Sequence, residues 1–469
     1  MADDRAAPAG PSREADEWLA AHEADALAGL NELLAIPRVS TQREHRGDVA
    51  RCAEWLVTEL RRVGLAADAH PTGGHPAVVG EWRGAAPGAP TILVYGHYDV
   101  QPPEPLDQWI SPPFEGTVRD GRLYARGAAD DKGQVWIHLK AIEGWLRTRG
   151  ALPVNLVLLL EGEEEIGSPS LPEFVAAQRE RLACDYVVIS DTVMLAPGVP
   201  IILASMRGLA YFEITARSAP ADMHSGQYGG VVGNAAMGLA RALASVQHPD
   251  GQVAIAGFYD HVRPLSSARR EDLARFPFDV GRFAADVGLD ALVGEAGYAP
   301  LERLWLRPSC DVNGLSGDYA GEGAKTVIPS TARAKLSFRL VPDQTPERVE
   351  ALLRAHLAGL ELPGVSLTVE SLHGGLPWGG ESSTAAFQAA RRSLARAFDR
   401  EPVAGGTGGT IPIVPELARQ LDAEILLIGF GLPGQNAHAP NEWIDLENLR
   451  RGMRAIAGLY AELGATGRR

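Results

Sequence analysis

Short apolar runs that lead straight into histidine and carboxylate residues recur along this chain, and they constrain its fold more than any other feature. Thr91-Ile92-Leu93-Val94 runs into Tyr95-Gly96-His97-Tyr98-Asp99-Val100-Gln101-Pro102. A buried strand therefore delivers His97 and Asp99 into one loop, and residues i and i+2 of an extended segment point the same way. Asp99 would either share a metal with His97 or hold its other ring nitrogen. Val154–Leu160 runs into Glu161-Gly162-Glu163-Glu164-Glu165, Tyr186–Ile189 into Ser190-Asp191-Thr192, and Ile425–Ile428 into a glycine loop and His438. Asp130 and Asp131 stand just before a helical stretch.

The runs alternate with helical patterns. Helices are expected over Ser12–Leu34, Val49–Val63, Gln134–Arg147 and Leu171–Gln178, with strands at Ala77–Trp82, Ile92–Tyr95, Val154–Leu160 and Tyr186–Ile189. Strands apolar on both faces between helices predict an α/β fold with a central, mostly parallel sheet flanked by helices. From Met206 the character changes. Tyr211–Ala216, Lys335–Val341 and Ser366–Glu370 alternate like half-exposed strands, and helices are expected at Val231–Val246 and Pro346–Ala358. After Trp378 the first pattern returns, with helices at Ser382–Phe398 and Leu446–Leu463 around the strand Ile425–Ile428. The expected organisation is a discontinuous catalytic domain, 1–206 and 376–469, interrupted by an inserted α+β domain over 207–375.

At 469 residues the chain exceeds one ordinary core. A net charge of −15 argues against nucleic acid or an anionic membrane as main partner. Cys52, Cys184 and Cys310 are scattered, with no CxxC pair, which suits reduced thiols. Met1–Arg13 has no apolar core, so neither a signal peptide nor a membrane anchor is expected there. No run reaches membrane-spanning length, and a soluble, cytoplasmic protein is expected.

Open α/β sheets bind ligands at the carboxyl ends of their strands. Taken singly, Asp130 or Asp131 reads as a helix cap, Glu161–Glu165 as a solvated charge run, Asp191 as a turn residue and His438 as structural. Together on one sheet edge, these carboxylates would repel one another unless cations neutralised them. Histidines with several carboxylates suit zinc, manganese or cobalt. Two ions could share a carboxylate and polarise a water, with an unligated glutamate taking its proton. Gly429–Gly434 matches GxGxxG after a strand, but Pro433 and the polar Gln435–Pro440 do not open a helix, so a dinucleotide site is rejected. Gly405–Thr410 is glycine-rich without a P-loop lysine, and no GxSxG elbow is present.

These motifs resemble those of the M20 metallopeptidases, and within them the carnosinase-like cytosolic dipeptidases. The matching segments are GHYDVQP at 96–102, RGAADDKG at 126–133, EGEEEIGS at 161–168, DMHSG at 222–226, KTVIP at 325–329, FRLVP at 338–342 and AHAPNE at 437–442. The resemblance implies that His97, Asp130 and Asp191 hold one metal, and that Asp130, Glu165 and His438 hold the other. It implies two divalent ions, Zn²⁺ or Mn²⁺, with Glu164 as general base and Asp99 orienting His97. It also implies a cis peptide between Asp130 and Asp131. The inserted domain would be a lid and dimerisation domain. His224 would act in the partner subunit's site of a homodimer, Arg339 would grip the substrate's terminal carboxylate, and Thr326 and Thr410 would contact substrate. Relatives often carry a charged pair and a serine where this chain has Gly406-Thr407 and Thr410, which bears on side-chain preference rather than on hydrolysis.

The expected activity is metal-dependent hydrolysis of the amide bond of dipeptides or similar small peptides. An N-acyl-amino-acid amidohydrolase would use the same ligands. A non-catalytic relative should have lost a ligand or Glu164, and none is lost.

Overall fold

The structure, a computed structural model, describes residues 12–467 except 275, 277, 287, 318 and 410. Most of the Met1–Arg13 segment discussed above, residues 1–11, lies outside the described residues. The chain divides into two compact units. The first comprises Met1–Ala204, Gly380–Ala404 and Ile413–Arg469; the second comprises Ser205–Gly379 and Gly405–Pro412.

The first unit is built on a sheet whose strands run in the order Ala66–His70, Ala77–Trp82, Asn155–Glu161, Thr91–His97, Tyr186–Ile189, Glu424–Ile428 and Ile201–Met206. The middle of this path is parallel: Thr91–His97 pairs in parallel with Asn155–Glu161 and with Tyr186–Ile189, which pairs in parallel with Glu424–Ile428. The flanking pairs are antiparallel. Every residue of Thr91–His97 is buried, as a strand covered on both faces requires. Parallel strands place their carboxyl ends on one edge, so His97, the Glu161–Glu165 loop, Asp191 and the chain leading to His438 all leave the sheet there.

The Lys132–Arg149 helix is buried from Lys132 through Trp145 and ends at Gly150, whose φ of +66° stops the helix with a left-handed residue. Trp136 Nε1 donates to Ala26 O at 2.8 Å, and the ring fills the space over Gly29, where a Cβ would come within 2.6 Å of it. The helices Leu446–Thr466 and Ala385–Phe398 contribute Met453, Ile456, Leu459, Phe387 and Leu394 to the same core.

Several expected helix boundaries shift by one to three residues, as where Val49–Val63 begins at Arg46 and Ser382–Phe398 at Ala385; two differ more. The helix expected over Ser12–Leu34 is two helices, Arg13–Ala21 and Glu23–Leu34, broken at His22. The His22 ring stacks on Trp18, and its Nδ1 lies 2.8 Å from Trp18 O, so a side chain serves a carbonyl at the break. The helix expected from Val231 begins at Ala235, where Asn234 Oδ1 accepts from Met237 N at 3.0 Å as a cap.

The second unit has a four-stranded antiparallel sheet in the order Ser309–Ser316, Thr331–Leu340, Gly208–Arg217 and Ser366–Gly375. Burial alternates strictly along Gly208–Arg217 up to its final residue. Phe212, Ile214, Leu336 and Phe338 share a core with Leu239 and Ala242 of Ala235–Ser245 and with Val349 and Leu353 of Pro346–Ala358. Among the described residues, no helix is long and apolar enough to cross a membrane, and no helix follows Gly434 before Leu446.

Candidate metal centre

His97 is completely buried at the end of its strand. Its Nε2 lies 3.0 Å from Asp130 Oδ1 and 3.9 Å from Asp191 Oδ2. The other oxygen of Asp130 meets His438 Nε2 at 2.9 Å, and His438 Nε2 lies 3.2 Å from Glu165 Oε2. The side chains thus form two groups, His97–Asp130–Asp191 and Asp130–Glu165–His438, each with one ligand atom per residue and all those atoms within 4.8 Å of one another. Asp130 belongs to both and offers a separate oxygen to each. Three carboxylates and two imidazoles in this arrangement fit divalent ions bound by nitrogen and oxygen. Three protein donors in each group would leave positions open on a bound ion for water and substrate, as a catalytic site needs.

The electrostatics agree with that fit. Burial, with the neighbouring carboxylates of Asp131 and Asp130, pushes Asp191 well above the usual carboxylate range. Burial works the same way on Asp130, but hydrogen bonds from His438 and His97 overcome it and hold that carboxyl below its ordinary value. Carboxylates outnumber imidazoles in the two groups, an imbalance that a divalent cation would offset.

The acidic run after the Asn155–Glu161 strand resolves into four environments. Glu161 is buried, and its Oε1 accepts from Tyr95 at 2.5 Å and Ser168 at 2.7 Å. Glu163 is buried and accepts from His75 N at 3.0 Å and Ser170 N at 3.2 Å. It closes on Gly74 so tightly that any Cβ there would lie 1.5 Å from its Oε1. Glu165 faces His438. Glu164 falls in neither donor group, and burial with the charges of Asp130, Glu165 and Asp99 lifts its carboxyl to about 7, against the downward pull of His97. A carboxylate near neutrality beside such a centre suits general base work.

Asp99 lies 3.3 Å from His97 Nδ1, without the alignment of a hydrogen bond. Its two oxygens instead accept from Glu164 N at 3.2 Å and Glu165 N at 3.1 Å, so Asp99 ties the His97 loop to the glutamate loop. Gln101 adds a second tie, donating to Glu165 Oε2 at 2.9 Å. The peptide between Asp130 and Asp131 is cis.

Glu442 was not picked out by sequence reasoning. It is fully buried and accepts from Arg126 Nη1 at 2.8 Å, Gly127 N at 2.7 Å, Ala129 N at 2.9 Å and Asp130 N at 3.1 Å. One carboxylate therefore clamps the Asp130 loop to the segment that carries His438. The signal was a lone acid inside AHAPNE, immediately before the buried Trp443-Ile444.

The remaining candidates lie in the second unit. His224 is exposed on a two-residue strand pairing with Val327–Ile328, and its Nδ1 accepts from Gly226 N at 3.0 Å. Thr326 is its near neighbour, with its carbonyl accepting from Ser225 N at 3.1 Å. Arg339 is half-buried on Thr331–Leu340, opposite Leu209 and Ser309, on the sheet face away from the Phe338 core. Thr410 lies outside the described residues.

Comparison with known proteins adds independent findings. The profile of Peptidase family M20/M25/M40 matches residues 93–462. A Cys-Gly metallodipeptidase of Schizosaccharomyces pombe is 30% identical over 452 residues, covering 93% of this chain and 95% of that protein. The crystal structure of human carnosine dipeptidase 1 superposes with a TM-score of 0.78 at 28% identity, covering 97% of this chain and all of that one. An M20 family metallo-carboxypeptidase from Sulfolobus solfataricus gives a TM-score of 0.81 at 32% identity, covering 94% and 99%.

Proposed function

The chain belongs to Peptidase family M20/M25/M40, and from that membership we propose that it is a metal-dependent dipeptidase. The observation that carries the reading is the pair of three-donor groups joined at Asp130, with Glu164 unligated beside them. The names of its relatives, a Cys-Gly metallodipeptidase and a carnosine dipeptidase, point to dipeptides as substrates.

Two divalent ions, Zn²⁺ or Mn²⁺, are proposed, one held by His97, Asp130 and Asp191 and the other by Asp130, Glu165 and His438. When bound they supply Lewis-acid polarisation and make a water easier to deprotonate at neutral pH. Glu164 takes the proton from the attacking water and delivers it to the leaving amine nitrogen, so one carboxyl serves as base and then as acid. Asp99 keeps the His97 and glutamate loops in register. Arg339 grips the terminal carboxylate of the dipeptide through its planar fork of donors. Thr326 and Thr410 line the substrate. His224, supplied by the partner subunit of a homodimer, donates to the oxyanion that forms at the scissile carbonyl.

Similarity to the Sulfolobus solfataricus metallo-carboxypeptidase supports a second reading, removal of a C-terminal residue from longer peptides. One panel separates the readings: dipeptides, tripeptides and N-acetylated amino acids offered to metal-stripped protein with Mn²⁺ or Zn²⁺ restored. Dipeptide cleavage that needs metal and disappears in Glu164→Ala is expected. Preference for tripeptides would favour the carboxypeptidase, and cleavage of acyl amino acids alone would make the protein a deacylase.

A further inference from the structure

The Lys132–Arg149 helix runs through the core buried from Lys132 through Trp145, yet it carries polar side chains there. Asp131, its cap residue, and Gln134 and His138 are 1%, 2% and 1% exposed. Spaced i, i+3 and i+7, they fall on one stripe of the helix. Apolar residues at these positions would have packed without the cost of burying polar groups.

Each of the three reaches a different strand end. Asp131 Oδ2 accepts from His97 N at 3.4 Å. Gln134 donates from Nε2 to Ala129 O at 3.0 Å and accepts at Oε1 from Phe430 N at 2.8 Å. His138 places Nε2 2.8 Å from Ser190 Oγ and Nδ1 3.0 Å from Tyr460 Oη. Ser190 and Tyr460 are themselves buried, at 2% and 0% exposure. Phe430 is held from the other side as well, its carbonyl accepting from Asn448 Nδ2 at 3.2 Å. The strands concerned are those that lead to His97, His438 and Asp191.

The link from His138 to a metal ligand is one peptide long, because Ser190 precedes Asp191. The link from Gln134 is longer, through the turn in which Leu432 N donates to Gln435 Oε1 at 2.7 Å and Trp443 N donates to Gln435 O at 3.0 Å. Burial drops the His138 imidazole to about 3, so it stays neutral, with one nitrogen donating and the other accepting between two hydroxyls. That state suits a fixed strut and not a proton carrier.

We infer that His138 and Gln134 are positioning residues that set the two metal-binding groups separately, His138 acting on Asp191 through Ser190 and Gln134 acting on His438 through Phe430. The inference rests on the proposal that the two groups each hold an ion. It extends that proposal to a helix that contributes no donor of its own to either group.

The test is chelator competition on the Co²⁺-loaded full chain, with the cobalt absorption spectrum as second readout. Asp191→Asn and His438→Gln serve as references that mark which affinity and which band belong to each group. His138→Ala should weaken the Asp191-marked ion about 10-fold and shift its band, leaving the other within twofold. Gln134→Ala should do the reverse, by less. His138→Asn, which keeps a donor and an acceptor near Ser190, should recover most of the loss. Ser190→Ala provides the same test without touching the helix, should His138→Ala fold poorly, and should weaken the same Asp191-marked ion. Equal weakening of both ions by either variant, or no weakening with the references intact, would overturn the inference alone. References that change neither affinity would overturn the two-ion proposal, and this inference with it.

Discussion

Around Asp130, four loops are held together by side chains that water barely reaches. Around His224, a ribbon two residues long carries the histidine in the open. In the first unit, Asp99, Gln101, Glu163 and Glu442 each bond across loops, and Glu442 alone accepts four hydrogen bonds. In the second, His224 and Thr326 rest on a single pair of strands, and the bond that His224 Nδ1 accepts from Gly226 N reaches only two residues along the chain. Groups that must stand within a fraction of an ångström of reacting charge are braced by a second layer, while groups that recognise a variable partner sit on simple, exposed elements. The contrast predicts that damage to the first unit removes chemistry or folding, and that damage to the second changes selectivity.

The largest effect should come from Glu164→Gln. Loss of the proton shuttle is expected to lower kcat by about 10³–10⁴-fold while metal affinity stays within a few fold. Steady-state kinetics beside metal titration checks both halves, and a merely tenfold loss would deny Glu164 the role of base. Glu442→Gln comes next. It strands the buried Arg126 guanidinium and puts an amide against three backbone donors, and should cost about 3–5 kcal/mol in urea unfolding. A cost under about 1 kcal/mol would show that the bracing matters less than its hydrogen bonds suggest.

Glu161 tests the same unit through pH. Burial lifts its carboxyl to about 8, although hydrogen bonds from Tyr95 and Ser168 pull the other way. The folded protein therefore keeps a proton that the unfolded chain releases near 4.5, and stability must fall as pH rises between these values. Glu161→Gln stays neutral throughout, so it should match the parent at about pH 4 and exceed it by roughly 5 kcal/mol above about pH 8. Unfolding curves across that range read the difference directly, and parallel curves for the two proteins would remove the titration from Glu161. The smallest effect belongs to the second unit. Arg339→Lys keeps the charge but loses the fork, and should raise KM about 10–100-fold for dipeptides while leaving dipeptide amides nearly unchanged. An equal loss on both substrates would break the division between chemistry and recognition.

The parallel core and its ligand-bearing edge were legible because each strand is a continuous apolar run and each run stops at a residue type that seldom follows one. Those signals are local, lying within ten residues of one another. What escaped was non-local. Gln134 and His138 look like ordinary interruptions of an amphipathic helix until Phe430 and Ser190 are brought beside them, 296 and 52 residues away. Glu442 is equally silent without Arg126, 316 residues earlier. The break at His22 carries neither proline nor glycine, and depends on a ring that stacks one turn back. The grouping of Gly405–Pro412 with the second unit follows contacts such as Arg207 N donating to Thr407 O at 3.2 Å, for which the local sequence holds no cue.

The bond between His438 and Asp130 closes a span of 308 residues, and this has a consequence for how the protein is made. At 5–20 residues per second, a ribosome needs roughly 15–60 s to travel from one to the other. For most of that interval, once Asp191 has been made, the nascent chain displays His97, Asp130, Glu165 and Asp191 but lacks its last imidazole and the Glu442 clamp. The strand Glu424–Ile428, which completes the parallel core, has not emerged either, so one edge of Tyr186–Ile189 stays open to other chains. Synthesis, rather than catalysis, is then the stage at which this architecture is most exposed to stray cations and to aggregation, and a chaperone holding the growing chain would act in that window.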